Sequence, residues 1–253
     1  CIKHGFKSMP SEPKIISLYL THLSQTSKFS TLKRRLASIS VIHRLSGYYI
    51  DTKHPMITEN LMGIKRVKGS YQKAKKPILI NDLKQIINAI DKDKNEKNKV
   101  KNRALILVGF AGGFRRSELV AIHYEDVDFV PEGVKIFVKR SKTDQSGEGM
   151  TKGIPYFSNP DYCPVISLKN WIEKSEIKSG KIFDMSDKSV ALTVKKYTAI
   201  AGLDSNKYSG HSLRSGFATS AAELGAEERS IMAMTGHKTT QMVRRYIQEA
   251  NLF

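Results

Sequence analysis

Residues 208–219 read "YSGHSLRSGFAT", and they place His211 and Arg214 three apart where a polar turn runs into a helical pattern. At that spacing both side chains fall on one helix face. A second histidine, His237, follows in "TGHKTTQMVRRYI", and a lone tyrosine, Tyr246, stands nine residues beyond it. Taken singly, each is ordinary: a capped helix with a surface arginine, a half-buried helical tyrosine. Gly210 and Gly236 each precede a histidine, and glycine there is expected to let a ligand approach the backbone. The histidines do not read as zinc ligands. A zinc site wants close pairs such as H-x3-H, and here the partner is arginine, which repels metal cations and attracts oxyanions.

Upstream, "GGFRRSEL" (112–119) sets Arg115 just after a Gly-Gly break, with Glu118 three residues later. This is either an ion pair opening a helix or a second oxyanion-binding arginine. Two β-rich runs separated by Pro131-Glu132-Gly133 predict a hairpin over 126–144. "KRSKTDQSGEG" (139–149) puts Lys142 at its tip, and "KGIPYF" (152–157) supplies a third strand. The remaining pattern is helical. "INDLKQIINAID" (80–91) predicts a helix with an Asn or Asp cap, "DKDKNEKNK" (91–99) a charged loop, and "VKNRALILVGFA" a mostly apolar helix. Further helices are expected at 164–175, 186–201, 212–224, 227–234 and 239–249.

The first third differs in charge. Residues 1–77 carry 15 Lys/Arg against 3 Asp/Glu, +12 of a total formal charge of +18. A pI near 9.8 and such asymmetry point to a polyanion partner, because phosphate contacts release counterions. Helices are expected at roughly 12–24, 30–46 and 58–67. In the second, Phe29, Leu32, Leu36, Ile39 and Ile42 should face a core, with Thr31 helping to cap and Gly47 ending it. Lys33, Ala37, Ser40 and Arg44 form a second stripe in which two small residues would let the helix approach a backbone phosphate. "KRVKGSYQKAKKP" (65–77) is polar and basic without apolar periodicity, as a linker is. Two cysteines, Cys1 and Cys163, are too few for a disulfide framework, which fits a reducing, intracellular setting. The chain opens at Cys1 rather than Met, as expected of a boundary inside a longer chain, and has no apolar run long enough to span a membrane.

Together, "AGGFRRSEL", "RSKTDQSGEG", "SGHSLRSGFAT" and "TGHKTTQMVRRYI" resemble the tyrosine recombinase (phage integrase) family, its Cre-like members in particular. The order is Arg, Lys, His-x-x-Arg, Gly-His, Tyr. The resemblance implies a mainly α (α+β) fold. A helical core-binding domain (1–68) and a basic linker (69–77) would precede a larger helical catalytic domain (78–253) with a small antiparallel sheet, the whole forming a C-shaped clamp on DNA. It further implies a site-specific recombinase or integrase acting without metal, ATP or other cofactor. Tyr246 would be the nucleophile, making a covalent 3′-phosphotyrosine. Arg115 and Arg214 would clamp the scissile phosphate, and Lys142 would protonate the leaving 5′ oxygen. His211 and His237 would bond the phosphate or assist proton transfer, and Glu118 would orient the site. The implied partner is double-stranded DNA with paired inverted-repeat sites, bound by a homotetramer in the cytoplasm, at the nucleoid. Family tetramers exchange a C-terminal helix. The seven residues after Tyr246 are few for one, so truncation is expected and this chain could be a monomer or dimer.

The physics of the residues agrees. A tyrosine hydroxyl with a pKa of about 10 is a weak nucleophile at neutral pH. Two fixed guanidinium groups would stabilise charge on a phosphorane-like transition state and favour the phenolate. DNA contacts are expected from Lys33, Arg34, Arg35 and Arg44, from Lys65, Arg66 and Lys68, and from Arg140, Lys195 and Lys196. Two rival readings stay open here: a type IB topoisomerase with the same tyrosine chemistry, and a non-catalytic DNA-binding regulator of the same fold. A basic RNA-binding protein has no RNP-type aromatic run to support it.

Overall fold

In a computed structural model the described residues are 5–69, 75–141, 147–237, 239–241, 243–244 and 246. Among them are ten α-helices and one three-stranded antiparallel sheet. The chain divides into two compact units, Cys1–Ala74 and Lys75–Phe253.

The first unit holds α1 (Pro13–Ser24), α2 (Phe29–Leu45) and α3 (Pro55–Lys68). Proline opens α1 and α3, where its missing N–H costs nothing. Ile16, Leu20, Leu32, Ile50, Ile57 and Ile64 form the core. Two expectations fail on α2. Its N-cap is Lys28 rather than Thr31, and Ile42 lies 51% exposed. His43 takes the inward place instead. Its Nε2 accepts from Ser11 N at 3.0 Å while Nδ1–H donates to the Ile39 carbonyl at 2.8 Å, so the segment before α1 closes over the end of α2. Gly47, at φ 80°, follows the last turn as expected.

The second unit is built around α5 (Glu96–Ala111). From Ala104 to Ala111 every residue is buried, as befits a helix apolar on all sides. One face (Ala104, Leu105, Val108, Ala111) meets the sheet and α7 (Pro164–Ser175). The other (Ile106, Leu107, Phe110) meets α4 (Ile80–Asp91), α8 (Asp187–Ile200) and Leu213 of α9 (His211–Glu223). The expected charged loop is shorter than 91–99, because the Asn95 side chain accepts from Asn98 N at 2.9 Å and starts α5 inside it. The α4 N-cap is Leu79 rather than an Asn or Asp. Asp82 in its first turn instead accepts from Tyr208 Oη at 3.0 Å and pairs with Lys76 at 3.3 Å. Lys76 N also donates to the Lys207 carbonyl, and Ile78 N to that of Ser212. Residues 75–78 are thus secured to the second unit, and Lys65, Arg66 and Lys68 stand on α3 rather than in a linker.

At its C-terminal end α5 turns sharply through Gly112 and Gly113 into α6 (Arg116–Leu119). Gly113 has φ 54°, and a Cβ on it would sit 2.9 Å from the Phe217 ring, so this turn needs glycine. The sheet follows: β1 (Val127–Val130), β2 (Gly133–Val138) and β3 (Met150–Pro155), in that order, with Ile136 opposite Lys152. Then come α7, α8, α9 and α10 (Glu228–Thr235), with helical backbone again at 240–241, 243–244 and 246. No helix among the described residues is long and apolar enough to cross a membrane.

Candidate active site

The Gly112–Gly113 turn fixes the first arginine. Arg115 stands at the N-cap of α6, where Glu118, as the third helical residue, returns its carboxylate to the start of the helix. Glu118 Oε2 accepts from Arg115 N at 2.9 Å, and Oε1 from Arg115 Nη1 at 2.6 Å. Ser141 Oγ accepts from the same Nη1 at 2.6 Å and donates to Glu118 Oε1 at 2.8 Å. Arg115 Nη2 donates to the Gly236 carbonyl at 3.3 Å, which ties α6 to the end of α10. Glu118 is 2% exposed. Burial alone would raise its pKa, yet the Lys152 ammonium and the bonds and charge of Arg115 hold it below the ordinary value.

Arg214, one turn into α9, is 1% exposed. Its Nη1 donates to the Gly113 carbonyl at 3.0 Å and its Nη2 to His237 Nε2 at 3.2 Å. Burial, then the charge of Arg115, lowers its pKa to about 10, so it stays a cation at neutral pH. His237 Nδ1 is 2.7 Å from Thr235 Oγ1, whose hydroxyl donates to the Ile231 carbonyl at 2.6 Å. Burial, with Arg214 and Arg115 beside it, lowers the His237 pKa to about 4.

His211 opens α9 at the exposed rim of the site, and its Nε2 lies 3.4 Å from Tyr246 Oη. Desolvation and the charges of Arg214, Arg115 and Arg116 lower its pKa too. The Tyr246 ring packs with Ala218, Ile231 and Val243, its centroid 5.9 Å from that of His237. Five of the expected residues (Arg115, His211, Arg214, His237 and Tyr246) therefore meet, with Glu118 behind them. Lys142 lies outside the described residues; Ser141, just before it, is bound to Arg115 and Glu118.

Three partners were not anticipated: Ser141, Thr235 and Lys152. Lys152 is fully buried, with Nζ 2.8 Å from the Gly112 carbonyl and 3.7 Å from Glu118 Oε2. Burial lowers its pKa to about 7. The available signal was strand alternation, which puts Lys152 on the same inward face as Ile154. One glycine expectation needs correction. A Cβ on Gly210 would strike the Arg116 side chain, so that glycine makes room for protein rather than ligand. Gly236 instead ends α10 at φ 62° and offers its carbonyl to Arg115.

The expected DNA contacts lie on outer surfaces. Lys33, Arg34, Arg35 and Arg44 on α2, Lys65, Arg66 and Lys68 on α3, Arg140 after β2, and Lys195 on α8 are exposed. Lys196 is exposed but engaged: its Nζ pairs with Asp93 at 3.0 Å and lies 4.7 Å from the Tyr197 ring centroid. No group of three or more potential metal ligands occurs among the described residues.

Among the described residues, two guanidinium groups (Arg115 and Arg214) and the buried Lys152 amine gather near one carboxylate, Glu118, a balance suited to receiving an oxyanion beside a tyrosine. Fold and centre define a class: enzymes that cut and rejoin DNA strands through a tyrosine, the tyrosine recombinases. The chain belongs to the phage integrase family, whose model matches residues 78–252. It is 41% identical over 268 residues to the integrase/recombinase XerD homologue of Selenomonas ruminantium, covering 100% of this chain and 78% of that protein. Against the tyrosine recombinase XerC of Staphylococcus aureus it is 26% identical, covering 92% of this chain and 74% of the other. In fold it is similar to the XerH site-specific recombinase bound to a palindromic difH substrate in a post-cleavage complex. That TM-score is 0.67 at 16% identity, covering 96% of this chain and 70% of that one.

Proposed function

We propose that this site-specific recombinase works through a covalent 3′-phosphotyrosine on Tyr246. Tyr246 Oη attacks the scissile phosphorus and passes its proton to His211. The P–O5′ bond breaks, and Lys142 delivers a proton to the departing 5′ oxygen. Rejoining is the reverse: a 5′ hydroxyl attacks the phosphotyrosine and releases the phenol, so the bond energy is conserved and no ATP is needed. Arg115 and Arg214 bind the nonbridging oxygens, taking the part a divalent cation plays in many phosphoryl transfers. His237, neutral at pH 7, acts as a hydrogen-bonding group. Glu118 holds Arg115 in place.

The observation that carries this reading is the 3.4 Å approach of Tyr246 Oη to a neutral His211 Nε2. A base at that distance is within reach of the phenol proton once substrate tightens the site. The partner is double-stranded DNA carrying paired inverted repeats, engaged by a homotetramer at the bacterial nucleoid. The first unit acts as the core-binding domain and residues 78–253 as the catalytic domain.

The test uses a pool of nicked duplexes of randomised sequence, with protein–DNA adducts recovered in SDS. The wild-type chain should yield adducts, and Tyr246→Phe should yield none while still retarding DNA. Adducts persisting in Tyr246→Phe would refute the nucleophile. No adduct from the wild type would favour the binding regulator, and rapid site-independent relaxation of a supercoiled plasmid the topoisomerase.

A further inference from the structure

Lys152 is the one fully buried lysine among the described residues, and the proposed chemistry gives it no part. A buried ammonium is costly unless its surroundings satisfy it. Its surroundings are specific. Nζ donates to the Gly112 carbonyl at 2.8 Å and reaches that of Gly113 at 3.4 Å. It lies 4.3 Å from the Phe114 ring centroid and 3.7 Å from Glu118 Oε2. Its titratable neighbours are Glu118 and Arg115 from the start of α6, Arg214 from α9 and His237 after α10.

Two of these partners, the Gly113 carbonyl and Glu118, also hold a residue of the proposed centre. The Gly113 carbonyl that Lys152 approaches is the one Arg214 Nη1 donates to at 3.0 Å. Glu118 accepts from both the backbone and the side chain of Arg115. The Gly112–Gly113 turn leads directly into Arg115. One buried amine, carried by β3, therefore sits where the seats of both guanidinium groups meet.

We propose that Lys152 is a positioning residue for strand cleavage, pinning the Gly112–Gly113 turn and sharing the charge of Glu118 so that Arg115 and Arg214 both face the phosphate. Without it, Glu118 leans more heavily on Arg115, which already donates to it at 2.6 Å, and draws that guanidinium inward, while the turn carrying the Arg214 acceptor loses its anchor. This rests on the tyrosine mechanism proposed above.

The test compares wild type, Lys152→Met, Glu118→Gln and the charge-neutral double variant in the adduct assay, on a duplex recovered from the wild-type selection. Lys152→Met keeps the length of the side chain and loses its charge. It should slow adduct formation by about 10- to 100-fold at saturating DNA, with DNA affinity within about twofold of wild type. The double variant should be no slower than the slower single variant, because the two residues act through one arrangement. An unchanged rate in Lys152→Met, a fall in affinity equal to the fall in rate, or multiplicative losses in the double variant would each overturn the proposal. Should Lys152→Met fail to fold, the double variant carries the test: folded and as active as Glu118→Gln supports the role, and unfolded assigns Lys152 to the core and overturns it. A wild-type chain that forms no adduct overturns the tyrosine mechanism and this role with it, whereas wild-type adducts with an indifferent Lys152→Met overturn this role alone.

Discussion

Arg214 Nη2 donates to His237 Nε2 across 3.2 Å, and that bond decides the state of the imidazole. A guanidinium only donates, so Nε2 must accept and the ring proton sits on Nδ1. There it faces Thr235 Oγ1 at 2.7 Å, an oxygen whose own proton goes to the Ile231 carbonyl. The chain from Ile231 to Arg214 thus runs in one direction and needs a neutral His237.

A pH prediction follows with a definite sign. The folded pKa of His237 is lowered to about 4 from an ordinary 6.5, so between those values the unfolded chain binds more protons. Its contribution is complete above pH 6.5 and is lost as pH falls towards 4. Urea unfolding at pH 7 and pH 4 should show wild type losing about 1–3 kcal/mol more than His237→Gln. Equal losses would mean that His237 is not held neutral. The adduct rate should likewise show no inflection near pH 6.5 that disappears in His237→Gln.

Arg214 is expected to tolerate no substitute, lysine included. Its two donating nitrogens serve the Gly113 carbonyl and His237 at once, a forked geometry that a single ammonium cannot reproduce. Arg214→Lys should lower adduct formation by about 10²–10³-fold, the range for loss of one charge-stabilising donor at a reacting centre. A loss under tenfold, measured at saturating DNA, would show that charge alone suffices.

Much of this was legible in the chain itself. Gly112-Gly113 marked the end of the central helix, Pro131-Glu132-Gly133 the hairpin, and the order of Arg115, His211, Arg214, His237 and Tyr246 the candidate centre. What escaped was whatever depends on a partner distant in sequence. His43 displaced Ile42 from the inner face of α2 because Ser11 comes to meet its ring. Gly210 proved to accommodate Arg116, and no local pattern announces the approach of α6 to the start of α9. Lys152 was passed over because lysine is nearly always solvated. Only the two glycine carbonyls and Glu118, placed by another part of the chain, make a buried site for it.

The outer lysines and arginines invite a graded salt test. For every phosphate that a side chain ceases to neutralise, the slope of log K against log salt should fall by about 0.9 on duplex DNA. Neutralising Lys33, Arg34 and Arg44 together should therefore flatten the slope by roughly 2–3. Lys196→Gln should flatten it by less than a single phosphate would, because its ammonium is already engaged by Asp93 at 3.0 Å. Fluorescence anisotropy between about 50 and 200 mM salt would measure both. An unchanged slope in the triple variant would remove α2 from the DNA-binding surface.

Two glycines give opposite predictions from one physical rule. Gly216 lies in α9 against the start of the second unit, where an added Cβ would strike the Ile78 carbonyl oxygen and come within 2.8 Å of its carbon. That backbone is held by the bond from Ile78 N to the Ser212 carbonyl and cannot yield cheaply. Gly216→Ala should destabilise the chain by about 1–3 kcal/mol, as overpacking does, and should also slow cleavage, because Arg214 is two residues away on the same helix. Gly63, inside α3, has nothing within 4 Å of the same position. Gly63→Ala should stabilise its helix by about 0.5–1 kcal/mol through helix propensity and a less mobile unfolded chain. Urea unfolding of both variants against wild type decides the matter, and a neutral Gly216→Ala would show that α9 and the Ile78 segment are free to move apart.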